Sequence, residues 1–512
     1  SLKEVFGANR ERLCVKLREA SNVPPHSVVY LQGGASTTRY DSDHEPLFRQ
    51  ESYFLYLTGV KEPDCHVSIQ VDTGFTTLYI PRLPPDYATI MGKIKTQQEW
   101  KTLYEVDAVE YTDDVESILE EAICNDEYTN GNRPRLLLME GQNSDSGNLY
   151  KSPSIQNEKL LQEHADTTTL YNILAECRVI KSPAELLIMR FVAELSSFAH
   201  AYVMRNVKPE MYEYQSESLF RHYCFYNYGC RLTGYTPICA CGPNAAVLHY
   251  GHAGEPNSRK IQEGDLLLYD MGAELSSGGY GSDITCSFPA NGSFTAKQKD
   301  IFEGVLNAQR AVYAIIKPGV SWVKCHEAAE AAILTKLAEI GIVVSGTKSI
   351  EELVDMRLGA VFMPHGLGHF IGIDTHDVGG YLAGNPNRST LPGLKSLRTS
   401  RIMQENMTVT VEPGCYFIDH LLDEALADDS PLKPFLNAEL LEEYRGFGGV
   451  RLEDVVAITA NGCVNYTLCP RTVNEIEHVM AGGKWPPAKD DSPELLRERL
   501  TDPTPLPSPP SL

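Results

Sequence analysis

The chain has 512 residues, 42% hydrophobic and 22% charged, an ordinary globular composition with length for two or three domains. Its formal net charge of −23 speaks against a nucleic-acid binder, which needs a basic footprint to neutralise phosphates. The 13 cysteines include no CxxC pair and point to reduced thiols in a cytoplasmic setting, and no apolar run reaches the ~18 residues of a membrane span.

The first third reads as α/β. Residues 27–32 are predicted as a strand, 66–72 and 75–81 as a hairpin closed at Thr73-Gly74, and 135–139 as another buried strand. Ser182-Pro183-Ala184-Glu185 then opens a long helix, with Ser at the N-cap, Pro at the first helical position and Glu at the third. Leu186, Met189, Ala193 and Val203 continue it at helical spacing, so the domain boundary falls near residues 176–181. A second long helix opens at Thr295 with Gln298 three residues on. The first helix ends at Lys208-Pro209 and the second at Lys317-Pro318, and this recurrence hints at a duplicated half-domain. From Lys484 the chain is Pro-rich and is predicted to be a disordered tail, with room for a short helix at 493–500.

Five segments between these landmarks present metal-type ligands. Asp265-Leu-Leu-Leu-Tyr-Asp270 reads as a buried strand ending in an acid, and a buried carboxylate is costly unless paired or metal-bound. In the stretch from Ser282 to Phe288, Asp283, Thr285 and Ser287 share one face and Ile284, Cys286 and Phe288 the other. The glycines at 278 and 279 allow a turn that would set this strand antiparallel to the first. Asp270 and Asp283 would then meet, which like charges tolerate only with a cation between them. His365, His369 and His376 lie in a Gly-rich stretch that is not helical. Val411-Glu412-Pro413-Gly414 and Arg451-Leu452-Glu453 are strand ends with acids. Taken singly, each acid reads better as a solvent-exposed strand-end or edge-strand charge. His326-Glu327-Ala-Ala-Glu330 begins like HExxH, lacks the second His, and is read as a solvated helix face.

In chain order, Asp270, Asp283, His369, Glu412 and Glu453 resemble the ligand set of the pita-bread metallopeptidases, which include methionine aminopeptidase, aminopeptidase P and prolidase. Residues 47–52, 56–59, 246–254, 362–381, 396–399, 411–414 and 417–425 are similar to the prolidase branch, and the match runs along the chain up to the Pro-rich tail. The loop at 275–281 is longer than the family pattern.

The resemblance implies an α/β N-terminal domain at 1–177, an α+β pita-bread catalytic domain with a pseudo-twofold internal repeat at 178–484, and the tail at 485–512. It implies that Asp270 chelates one divalent ion, Asp283 and Glu453 bridge two, and His369 and Glu412 hold the second. Glu412 and His376 would be catalytic, the first moving a proton and the second stabilising an oxyanion. His249, His376, Arg398, Tyr235, His365 and Arg451 match substrate-side or supporting positions. An oxygen-rich set with one imidazole suits Mn2+, with Zn2+ and Co2+ as alternatives, and such ions lower the pKa of water from about 15.7 towards ~7. The implied activity is cleavage of dipeptides with a C-terminal proline by a homodimer, with no nucleic-acid or membrane partner. An aminopeptidase P acting on longer peptides and a non-catalytic binding module are the alternatives. Arg398 favours the dipeptidase, because a guanidinium fork suits a free carboxylate.

Overall fold

The computed structural model describes residues 2–124, 133–252 and 254–499. The chain divides between Arg178 and Val179 into two units, with residues 277–279 grouped with the first. The first unit is built on a six-stranded sheet. Its strands are β1 (Val28–Gln32), β2 (His66–Gln70), β3 (Thr76–Ile80), β4 (Ala108–Tyr111), β5 (Leu136–Leu137) and β6 (Ala165–Asp166), in the order β4-β3-β2-β1-β5-β6. The expected hairpin is β2–β3, antiparallel, and Gly74 turns it at φ 74°, a backbone state that suits glycine.

The second unit repeats one plan twice. Its first half has helices α1 (Pro183–Asn206) and α2 (Glu213–Tyr228) beside an antiparallel sheet of β7 (Ile238–Cys241), β8 (Leu266–Asp270) and β9 (Thr285–Pro289). The second half has α3 (Ala296–Ile315) and α4 (Trp322–Glu339). Beside them lie a ribbon of β11 (Gly414–Tyr416) with β12 (Gly449–Arg451) and a sheet of β10 (Thr408–Val411), β13 (Asp454–Ile458) and β14 (Cys463–Asn465).

Helix α1 starts where its capping box predicts. Ser182 Oγ accepts the Glu185 amide at 3.2 Å and the Glu185 carboxylate accepts the Ser182 amide at 2.7 Å, a cap worth about 1 kcal/mol. Met189, Val192, Leu195, Ala199 and Val203 line its inner face and are fully buried. By composition α1 is long and apolar enough to cross a membrane, yet 67% of its most apolar window is buried inside the protein. The longer loop after β8 is closed by a hydrogen bond from the Leu275 amide to Tyr280 O at 3.0 Å.

The expected disordered tail does not begin at 485. Residues 485–499 pack onto the second unit, and 500–512 lie outside the described residues. Trp485 Nε1–H donates to Leu468 O at 2.6 Å, Leu495 is fully buried, and Arg497 joins Glu475 at 2.7 Å and Asp490 at 2.6 Å. Proline content suggested a chain that could not pack, but one tryptophan, one leucine and one arginine anchor it. The expected helix at 493–500 is a single 3-10 turn, Pro493–Leu495. Truncation after Lys484 is therefore expected to destabilise. Exposing the Leu495 site alone costs about 2 kcal/mol, which lowers Tm by at least about 3 °C. Thermal denaturation checks this, and an unchanged Tm would mean that the segment only rests on the surface.

Candidate metal centre

The acids are brought together by strand register. Pairing of β8 with β9 sets Asp270 opposite Thr285. Asp283, two residues before Thr285, lies on the same strand face and so comes next to Asp270. The Glu453 amide donates to Thr285 O at 3.1 Å, which joins the second half of the unit to the first at this point. Glu412 follows the last residue of β10, which pairs with β13 immediately after Glu453. His369 is held beside β10 by its amide on Thr410 Oγ1 at 3.1 Å and by the Thr410 amide on its own carbonyl at 2.9 Å.

All five residues converge. Ligand atoms within 4.8 Å of one another are found in Asp270/Asp283/Glu453, in His369/Glu412/Glu453 and in Asp283/His369/His376. Glu453 is common to the first two groups and Asp283 to the first and third. His369 Nε2 lies 3.3 Å from Asp283 Oδ2 and 3.3 Å from Glu412 Oε1. Asp270, Asp283, His369 and Glu453 are at most 8% exposed.

The carboxylates are oriented by donors behind them. Tyr235 OH donates to Asp270 Oδ1 at 2.5 Å and the Arg451 guanidinium to Asp270 Oδ2 at 2.7 Å. Thr285 Oγ1–H donates to Glu453 Oε2 at 2.6 Å, and Thr410 Oγ1–H to Glu412 Oε1 at 3.2 Å. Arg451 also donates to Tyr416 OH at 2.9 Å, and Tyr416 lies 2.9 Å from His365 Nε2. His365 Nδ1 faces Gly366 O, which can only accept, so its proton sits on Nδ1 and Nε2 receives the tyrosine proton. His365 thus supports Tyr416, and burial pushes its pKa down to about 4.

His376 packs edge-on against His369, ring centroids 4.4 Å apart, and opens to solvent. His249 is also exposed and Arg398 is half-buried. Partial enclosure and the positive charges of Arg398 and Arg451 hold His249 below its ordinary pKa, so it stands neutral near Arg398. Three contributors were not foreseen. Thr410 and Tyr416 carry no sequence signal beyond their strands. Lys181 pairs with Asp377 at 3.2 Å, both side chains 1% exposed, and fixes the backbone next to His376.

Can these residues hold cations? Burial and the neighbouring Asp283 push Asp270 up to about 7 despite Arg451 and Tyr235. Burial and the charges of Asp283, Glu412 and Asp270 push Glu453 well above the usual carboxylate range. Burial opposes a charge on His369, but the carboxylates of Asp283 and Glu412 prevail and raise it to about 10. Among the described residues no hydrogen-bond donor reaches the buried Asp283 Oδ1. A cluster of four carboxylates, two of them pushed up by burial and by their neighbours' charge, with one buried oxygen unpaired among the described residues, fits two divalent ions with oxygen-rich coordination.

This has a consequence for stability. Asp270 titrates near 3.8 when unfolded and about 7 when folded without metal, so between these values the folded state binds more protons and stability falls as pH rises. Glu453 acts in the same direction, and the contribution of His369 is lost as pH rises from 6.5 towards about 10. Bound divalent ions remove this penalty, so the Tm gap between Mn2+-loaded and chelator-treated protein is expected to widen from about pH 5 to about pH 8. A gap that is constant or shrinks would contradict the charge arrangement.

Comparison with known proteins agrees with this geometry. Residues 188–460 match Metallopeptidase family M24, and residues 6–129 match the Aminopeptidase P, N-terminal domain. The chain is 50% identical over 478 residues to the Xaa-Pro dipeptidase of Homo sapiens, covering 93% of each chain, and 49% identical to that of Mus musculus over the same shares. It is 34% identical to a probable Xaa-Pro aminopeptidase of Sordaria macrospora, covering 94% of this chain and 97% of the other. Among solved structures, Pseudomonas aeruginosa aminopeptidase PepP superposes with a TM-score of 0.72 at 29% identity, over 94% of this chain and 98% of that one. Zn-substituted E. coli aminopeptidase P in complex with product gives 0.72 at 26%, over 94% and 99%.

Proposed function

The chain belongs to metallopeptidase family M24, and from that premise we infer that it is a Xaa-Pro dipeptidase, a metallodipeptidase with the pita-bread fold. The observation that carries this reading is the convergence of Asp270, Asp283, His369, Glu412 and Glu453 in overlapping ligand groups within a chain 50% identical to a Xaa-Pro dipeptidase. Asp270 would hold one ion, His369 and Glu412 the other, and Asp283 and Glu453 both. Mn2+ is the proposed metal because the donors are four carboxylates and one imidazole. When bound, the ions supply Lewis-acid activation of water and of the scissile carbonyl.

The residues around the ions do the rest. Glu412 takes a proton from the attacking water and delivers it to the prolyl nitrogen, which cannot leave as an anion. Thr410 Oγ1–H holds the Glu412 carboxylate for that transfer. Exposed His376, beside His369, donates to the oxygen that gains charge in the transition state. Arg398 receives the free carboxylate of the C-terminal proline, and neutral His249 lines the same side. Tyr235 and Arg451 hold Asp270 in place. The 13 free cysteines support a cytoplasmic place of action.

The likeness to aminopeptidase P structures keeps one second reading, hydrolysis of longer Xaa-Pro peptides. Comparing kcat/KM for Gly-Pro and Gly-Pro-Gly on the Mn2+-loaded protein tests it. A preference for Gly-Pro supports the dipeptidase; a preference for the tripeptide overturns it.

A further inference from the structure

The HExxE stretch is not the solvated helix face that its sequence suggests. His326 and Glu330 are both 0% exposed, and together with Trp322 they stand at successive i, i+4 positions on one face of α4. That face is turned to the chain that carries His365 and His369. Trp322 Nε1–H donates to Gly368 O at 3.2 Å, and the Leu367 amide donates to His326 Nδ1 at 3.2 Å. An amide N–H can only donate, so Nδ1 is the bare nitrogen and the ring proton lies on Nε2. Glu330 Oε1 accepts that proton at 3.1 Å and also takes the Arg357 guanidinium at 2.5 Å. Arg357 is in turn held by Pro392 O at 2.9 Å and Val354 O at 3.3 Å.

The stretch being held cannot hold itself. Residues 365–369 contain two glycines and form no helix or named strand. One side is bound to the strand of Glu412, by the Glu412 amide on Leu367 O at 2.8 Å and the Thr410 bonds to His369. On the other side Leu367 and Gly368 are hydrogen-bonded to α4, while Gly366 only packs against the backbone of Ser396 and Leu397. Losing the His326 acceptor strands a buried amide two residues before His369.

We propose that Trp322 and His326, backed by Glu330 and Arg357, are positioning residues of the metal centre that lock the backbone aiming His369 at the ion it shares with Glu412. The proposal rests on the two-metal reading above, and the parent protein's own metal titration tests that reading separately. Its distinctive consequence is selectivity: the ion on His369 and Glu412 loses affinity, while the ion on Asp270 does not.

The experiment is a Mn2+ titration of metal-free parent, His326→Leu and His326→Asn by calorimetry, with folding checked by circular dichroism. The parent should bind two ions. In His326→Leu one binding step should weaken at least about tenfold and the other stay unchanged. In His326→Asn, whose Oδ1 stands where Nδ1 accepts, most of that loss should be recovered. Unchanged steps in His326→Leu, equal weakening of both steps, or an Asn variant as weak as Leu would each overturn the proposal. If His326→Leu does not fold, Trp322→Phe removes the other anchor while keeping an aromatic ring. It should weaken the same single step, and an unaltered titration would overturn the proposal. A parent that does not bind two ions would instead refute the two-metal reading.

Discussion

Asp283→Asn is expected to lose most of its bound metal and to lower kcat/KM for Gly-Pro by about a thousandfold or more, since metal stabilisation of transition-state charge is worth several kcal/mol and each 1.36 kcal/mol is tenfold. Asp283 belongs to two of the three ligand groups, as Glu453 and His369 also do, so its loss reaches more than one group. One oxygen lies 3.3 Å from His369 Nε2, and the other is buried without a donor among the described residues. Asparagine keeps the size but removes the charge and replaces one acceptor oxygen with a donor NH2. The fold should survive, because the substitution relieves crowding among Asp270, Asp283 and Glu453. Elemental analysis beside a Gly-Pro assay checks the prediction. Full metal content with full turnover would exclude Asp283 as a ligand.

Arg398→Ala should act on the substrate instead. A charge-assisted bidentate pair contributes about 1.5–3 kcal/mol, so kcat/KM for Gly-Pro should fall about ten- to a hundredfold. Gly-Pro-amide lacks the carboxylate. It should be a poor substrate for the parent and change little in the variant. Metal content should not move, since Arg398 is outside all three ligand groups. Equal losses on the two substrates would show that Arg398 acts through the fold or the metals.

The strand-boundary position made each acid a candidate, but it was the resemblance to the pita-bread metallopeptidases that joined the five residues into one ligand set. Asp270 closes β8, Asp283 precedes β9, Glu412 follows β10 and Glu453 precedes β13. Period-two alternation then decides which side chains share a face, so the sequence alone puts Asp283 and Thr285 on the same side of their strand. The capping boxes at Ser182 and Thr295 fixed the helix starts for a similar reason: they are local, and the bonds that define them span three residues.

What stayed hidden depends on partners far along the chain. The HExxE stretch has the charge density of a solvated helix, and Arg357 and the Leu367 amide, both remote in sequence, are what its buried groups meet. Lys181 and Asp377 are 196 residues apart, and nothing in either neighbourhood names the other. Tyr416 reaches Arg451 because Gly414 pairs with Arg451 across β11 and β12, a register that neither strand specifies alone. The segment at 485–499 was misread because composition averages over residues, whereas Trp485, Leu495 and Arg497 act singly.

The most direct test is to titrate metal-free protein with Mn2+ while following Gly-Pro hydrolysis and bound metal together. A two-ion dipeptidase built on these five ligands predicts that turnover rises with the metal and levels off at two ions per chain. Full turnover at one ion, or two ions bound without Gly-Pro hydrolysis, would contradict it.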